Sequence, residues 1–308
     1  MRAESKFRLV DVWVGVRDPR QSTKVEHDLI ELLVVAVSAV LSGADTFVEI
    51  EAWAKEKLEW LREYLKLEQG IPSHDTFGRV FAAIDPDEFG AAFVRWVGQV
   101  LPVLANGDVV AIDGKTSRRS GKVGATPLHL VSAFAAQAGV VLGQRATAKK
   151  SNEKTAIPEL LATLALQGSI VTIDAMGTQP NIAQAIRDRG ADYLLAVKDN
   201  QPKLAESIDD FFIAFEAAPA KTPHQFHEVV VRQHWRVENS LHWCMDVVFG
   251  DDQMRARTDH AAHNLAVVRQ FVLNLIRLSP VKRKGGLKVQ RLIAATSDTF
   301  RAELLGLV

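Results

Sequence analysis

The strongest constraint on the fold lies between residues 109 and 197, where short strand-like apolar runs alternate with amphipathic ones in a definite order. Residues 109–112, Val-Val-Ala-Ile, form a compact apolar run that ends on Asp113-Gly114. Residues 128–136 and 140–146 read as two further strands, joined by Gln137-Ala138-Gly139 as a hairpin turn. Residues 153–166 have helical period, 169–173 form a strand ending on Asp174, 181–189 a helix and 193–197 a strand. A hairpin followed by alternating helix and strand implies a mixed sheet, part antiparallel and part parallel. The predicted class is therefore α/β, with a mixed five-stranded sheet flanked by helices.

The first hundred residues have a different texture. Apolar side chains recur at helical spacing over 27–41 and 49–67, Pro72-Ser73-His74-Asp75 breaks the pattern, and Asp85-Pro86-Asp87 starts another helix. Asn106-Gly107-Asp108 is a turn and marks the expected boundary. The predicted organisation is a helical N-terminal module (1–105), an α/β domain (106–276) and a basic C-terminal tail (277–308). Within the second unit, 202–215 is expected as a helix, 217–226 as a short loop, 234–248 as one long helix and 261–277 as another. Trp53, Trp60 and Trp96 recur among apolar neighbours and are expected in the core. Cys244 is the single cysteine, which excludes an internal disulfide and fits a reducing cytosol. Residues 32–41 are the longest apolar stretch, far short of the roughly 20 a membrane helix needs. A charged opening without an apolar run argues against a secretory leader, so a cytoplasmic protein with no membrane partner is expected.

Net charge is zero, but the charges are segregated. Residues 26–88 hold 14 acidic and 5 basic side chains, residues 109–155 hold 8 basic and 2 acidic, and residues 277–308 hold 7 basic and 2 acidic. Such segregation suits a basic face for a polyanion and an acidic module kept off it, and it also suits ordinary solvated helix surface.

Asp113 and Asp174, each at the end of a strand and before a small residue, could share divalent cations, or could simply cap the turns that follow. The stretch His234-Trp235-Arg236-Val237-Glu238-Asn239-Ser240-Leu241-His242-Trp243 places Val237, Leu241, Cys244 and Val248 on one helical stripe. His234, Glu238 and His242 fall four apart on the adjoining face. Glu238 could point into a site or stand solvated between two ordinary histidines. A zinc site using His234 and His242 would have to span about 12 Å of rise, too far for one ion. Trp235 and Trp243 are expected to pack and fix this helix.

Several longer words resemble the ISAs-type insertion-sequence transposases, including the H-repeat-associated proteins of the DDE group. They are Val-Ala-Ile-Asp-Gly-Lys at 110–115, His-Leu-Val-Ser-Ala at 129–133, Lys-Ser-Asn-Glu-Lys-Thr-Ala-Ile-Pro at 150–158, Ile-Asp-Ala-Met-Gly at 173–177 and the stretch at 234–243. Residues 70–81 resemble that family's helical N-terminal module, and 264–305 its C-terminal end. The resemblance spans nearly the whole chain. It implies an RNase H-like catalytic domain, the acidic triad Asp113, Asp174 and Glu238 holding Mg²⁺ or Mn²⁺, and cleavage and transfer of double-stranded DNA at transposon ends. It also implies a homodimer on DNA, acting in the bacterial cytoplasm at the nucleoid. Lys115, Arg118, Arg119, Lys149, Lys150 and Lys154 would then bind phosphates beside the site, or else belong to solvated loops. Lys198 is either an active-site edge residue or a strand cap, and Glu153 is either a metal-proximal acid or a carboxylate that the helix dipole alone explains. Two departures stand out: His234 occupies a position where related enzymes carry arginine, and the crossing from Phe215 to Val229 is shorter than the family's. A truncated relic that folds and binds DNA, or a nuclease that hydrolyses without joining, are the alternatives.

Overall fold

The computed structural model describes residues 9–101, 103–121, 126–147, 153–198, 200–217, 232–281 and 283–308. Strands β1 (Val109–Thr116), β2 (His129–Ala135), β3 (Val140–Thr147), β4 (Ile170–Ile173) and β5 (Asp192–Leu195) form one sheet in the order β3-β2-β1-β4-β5. β1, β2 and β3 pair antiparallel, whereas β4 and β5 run parallel to β1. The mixed five-stranded sheet expected from the element order is thus present. β1 and β2 occupy the middle and are covered on both faces, which explains the unbroken apolar run of residues 109–112. One boundary differs from expectation. Parallel pairing with β4 stops at Ile112 and Ile173, but β1 continues alongside β2 as far as Thr116 opposite His129. Asp113 therefore lies inside β1, at the point where its β4 neighbour leaves the sheet.

The N-terminal region contributes α1 (Leu9–Val12), α2 (Leu29–Leu41), α3 (Phe47–Glu56), α4 (Leu58–Arg62), α5 (His74–Ala83) and α6 (Pro86–Val100), and none of the described strands. Their starts follow capping chemistry. Asp28, Ser73 and Asp85 accept backbone N–H groups at the first turns of α2, α5 and α6, and Thr46 with Glu49 forms a reciprocal capping box on α3. The helix expected over 49–67 is interrupted at Lys57, which separates α3 from α4. Ser38 and Ser42 donate their hydroxyls to carbonyls one turn back, so α2 can be buried almost all round without an unsatisfied hydroxyl.

A central helix, Ala261–Leu278, lies between these helices and the sheet. Phe271 packs on Trp13, Phe93 and Trp96, its ring centroid 4.0 Å from that of Trp96. Burial of one such side chain contributes about 1.5–3 kcal/mol. The same helix makes polar contacts in both directions. Asn264 donates to the carbonyls of Phe81 and Ile84, Arg269 donates to Asp251 and to the Asp45 carbonyl, and Asn274 both donates to the Val141 carbonyl and accepts its N–H. Asn274 thereby acts as a neighbouring strand for the edge of β3.

Residues 277–308 are not a tail. They fold into helices Leu287–Thr296 and Asp298–Leu305, both packed on α2 and on the central helix. Two of the basic side chains expected to face a polyanion are buried: Arg291 donates to the Val40 carbonyl and Asp45, and Arg301 lies 3.8 Å over the Trp60 ring. No described helix is long and apolar enough to cross a membrane.

Candidate active site

The site begins with parallel registration. Ile112 pairs with Ile173, so Asp113 and Asp174 are the next residues on adjacent strands, on the sheet face shared with Thr172. Asp113 Oδ1 accepts its neighbour's N–H, Gly114 N, at 2.8 Å. Asp174 accepts Met176 N at 3.1 Å and so caps the short 3₁₀ turn Ala175–Gly177. Capping and participation in a site are here compatible.

The third carboxylate comes from a segment that departs from the expected helix. Residues 237–242 (Val237–His242) form a π turn, followed by a short α-helix, Trp243–Val247. Val237, Leu241 and Cys244 are buried as the stripe required, with Val248 partly so. The wider turn shifts the helical phase, and Trp235 and Trp243 end up 59% and 56% exposed. They do not anchor the helix as expected. Glu238 is half exposed, and its Oε2 lies 3.4 Å from His242 Nδ1. His242 is buried, and the same Nδ1 lies 3.5 Å from Asp113 Oδ2. Ligand atoms of Asp113, Glu238 and His242 all fall within 4.8 Å of one another. His234 takes the other direction, with Nδ1 2.9 Å from Thr172 Oγ1 and close enough to Asp174 to feel its charge. The two histidines flank Glu238 and go to different strands.

Asp113 carries the electrostatic signature of the site. Burial, and then the charges of Glu238, Asp174 and Glu153, push its carboxyl up to about 7, against the opposing Gly114 N–H. Burial likewise lowers the His242 imidazole, opposed by Glu238. The nearest lysine along the strand, Lys115, does not offset these charges. Its ammonium lies 2.6 Å from Asp246, 3.6 Å from Asp252 and 3.7 Å from Asp251, with the side chain only 14% exposed. Burial acts to lower the Lys115 amine, and these carboxylates more than reverse that. Lys115 was expected to meet phosphate; it is instead committed to the 246–252 segment.

The other basic candidates divide. Arg118 and Arg119 are exposed, the first 3.4 Å from Asp252 and the second donating to Gln253 at 2.7 Å, and Lys154 and Lys198 are also exposed. Lys122, Lys149 and Lys150 lie outside the described residues, as does most of the crossing from Phe215 to Val229. Glu153 is more than a helix-dipole residue. It is buried, with Oε1 2.6 Å from His129 Nε2, while His129 Nδ1 lies 2.7 Å from Thr116 Oγ1. This trio lies against Gly114, where a Cβ would overlap Glu153 and come within 2.6 Å of His129 Nε2. Nothing in the local sequence pattern signals that pairing, since its members come from β1, β2 and a helix.

Comparison with known proteins places these residues in context. The family model described as Transposase DDE domain matches residues 105–275, and one described as DDE_Tnp_1-associated matches residues 10–97. The protein named "Putative transposase YncI" of Escherichia coli O157:H7 is 35% identical over 368 aligned positions, covering 96% of this chain and 94% of its own. "H repeat-associated putative transposase YhhI" of Escherichia coli K12 is 32% identical, covering 94% and 95%. In the YncI alignment this chain supplies only about 296 residues to the 368 positions, so roughly 70 positions have no counterpart in it. A solved structure of the piggyBac transposase synaptic complex with hairpin DNA shares 8% identity at a TM-score of 0.48, covering 96% of this chain and 76% of that one.

Proposed function

This chain belongs to the DDE transposase family, and on that premise we propose that it cleaves and joins DNA strands at the ends of an insertion sequence, using Asp113, Asp174 and Glu238 as its acidic triad. One observation supports the assignment: Asp113 on β1 lies with Glu238 of the 237–242 turn, near enough to Asp174 to feel its charge, and among the described residues no lysine or arginine pairs with them, while the Asp113 carboxyl is pushed up to about 7. Anionic oxygens crowded in this way fit a hard divalent cation, Mg²⁺ or Mn²⁺. Bound there, such ions supply Lewis acidity for in-line attack at phosphorus, with no covalent enzyme intermediate. The protein's own contribution is rigidity and placement. The Gly114 N–H fixes the Asp113 carboxylate, the Met176 N–H fixes Asp174, and the buried Val237-Leu241-Cys244 stripe holds Glu238 at the site mouth, where it remains accessible to DNA.

Double-stranded DNA would lie across the exposed Arg118, Arg119 and Lys154, with Lys149 and Lys150 as further phosphate contacts, on a homodimer in the cytoplasm. Supercoiled plasmid with Mg²⁺ or Mn²⁺ provides the first test. Nicking should require metal and should disappear in Asp113→Asn, Asp174→Asn and Glu238→Gln. Nicking that survives all three substitutions would overturn the triad.

The roughly 70 aligned positions absent from this chain favour a second reading, in which chemistry outlasts transposition. Strand transfer needs the DNA end held close to its reacting geometry, and misplacement by about 1 Å can cost on the order of a hundredfold. Weak nicking with little excision of a repeat-flanked plasmid cassette is the outcome that reading requires, and efficient excision refutes it. Nicking without any joining on a terminal-repeat substrate would instead indicate a nuclease.

A further inference from the structure

His242 sits against the triad in a manner that the triad itself does not explain. It is 93% buried on the π turn, and its Nδ1 faces Asp113 Oδ2 at 3.5 Å and Glu238 Oε2 at 3.4 Å. These separations are long for N–H···O hydrogen bonds, which centre near 2.9–3.0 Å. They match the spacing of donor atoms around one ion, since ligands at about 2.1 Å lie about 3.0–3.4 Å apart in octahedral to tetrahedral geometry.

The far side of the ring decides which nitrogen has the lone pair. Among the described residues His242 Nε2 is buried without a hydrogen-bond partner, and so is Gln270 Oε1. Both residues line one small void of about 20 Å³, together with Ser132, whose hydroxyl is 3.4 Å from Gln270 Nε2. That space takes one water, able to accept from Nε2–H and donate to Gln270 Oε1. The proton then belongs on Nε2, and Nδ1 turns a lone pair toward two carboxylates. Three electron-rich atoms facing one another suit a cation held between them. Metal-binding histidines are held in this way, with the second ring nitrogen donating to an outer acceptor.

We propose that His242 is a nitrogen ligand of the divalent ion held by Asp113 and Glu238, oriented through its Nε2–H toward Gln270. The proposal rests on the metal-dependent reading above and adds a donor outside the acidic triad. A nitrogen donor biases the site toward Mn²⁺ over Mg²⁺, because imidazole suits the transition metals better.

Mn²⁺ added to the full-length protein tests this by pulsed electron paramagnetic resonance. The wild type should show the modulation of a directly bound ¹⁴N nucleus, and ¹⁵N-histidine labelling should replace it with the ¹⁵N pattern. His242→Gln should abolish the signal and weaken Mn²⁺ binding on the order of tenfold or more, whereas His234→Gln should leave the signal intact. Gln270→Leu should weaken Mn²⁺ binding while the nitrogen coupling persists. Mn²⁺ bound without nitrogen coupling in the wild type would overturn the role of His242 and leave the triad standing. Coupling that vanishes in His234→Gln would also overturn it. Failure of the wild type to bind Mn²⁺ at all would overturn both readings. The isotope experiment needs no variant, so a misfolded substitution cannot obscure the answer.

Discussion

Replacing Asp113 with Asn should make the metal-free protein more stable at alkaline pH, even though it removes a residue assigned to catalysis. The carboxyl moves from 3.8 to about 7 on folding, chiefly through burial and then through the charges of Glu238, Asp174 and Glu153. The folded protein therefore retains a proton that the unfolded chain releases, and stability declines as pH rises between those two values. At about 1.36 kcal/mol for each pH unit, the loss across the whole window is roughly 4 kcal/mol, of which about 2.5 kcal/mol falls between pH 5 and pH 8. Asn at this position keeps the shape and an oxygen for the Gly114 N–H, yet carries no charge to bury. Urea unfolding in EDTA at pH 5 and pH 8 provides the measurement. The wild type should lose about 2–3 kcal/mol more than Asp113→Asn over that interval, and saturating Mn²⁺ should restore wild-type stability at pH 8 without helping the variant. Parallel pH profiles for the two proteins would show that the Asp113 carboxyl is not raised and would remove the electrostatic basis of the site.

Three further outcomes follow from particular contacts. Lys115→Met should destabilise by about 3–5 kcal/mol in urea unfolding, because it leaves Asp246, Asp251 and Asp252 facing one another around a vanished cation; a change confined to DNA affinity would contradict that placement. The double variant Arg118→Ala/Arg119→Ala should keep wild-type stability and lower the salt dependence of DNA binding by about 0.9 per lost phosphate contact, whereas an unchanged slope would place these side chains off the DNA. Gly114→Ala should cost about 1–3 kcal/mol by thermal denaturation, since the added methyl would have to displace the buried Glu153 and His129, and a neutral result would show that this pair gives way freely.

The sequence was most legible where chemistry is local. Apolar runs at 109–112 and 169–173 placed two strands, and the registration of Ile112 with Ile173 then fixed Asp113 beside Asp174. The stripe Val237, Leu241 and Cys244 correctly predicted which side of the Glu238 segment is buried. The π turn was not visible, because hydrogen-bond pitch leaves no mark on a hydrophobic pattern of so few residues, and the two tryptophans were consequently assigned inward. Lys115 was misplaced for a different reason. Its partners lie more than 130 residues away, and a lysine next to an aspartate looks the same in sequence whether it meets phosphate or a distant carboxylate. The Thr116–His129–Glu153 contact escaped notice on the same ground, and so did the burial of Arg291 and Arg301.

The central helix has a consequence for how this molecule comes apart. Asn264 ties it to α5, Arg269 to the turn before α3, and Asn274 to the backbone of β3, all within three turns of one continuous element. Unravelling either side strips buried polar groups of their partners on the other, so opening one side alone carries much of the cost of opening both. Despite its two family-model matches, the chain should therefore melt as a single cooperative unit, with calorimetric and van't Hoff enthalpies in agreement. Any rearrangement needed to admit DNA must then be sought in segments that the helix does not bind.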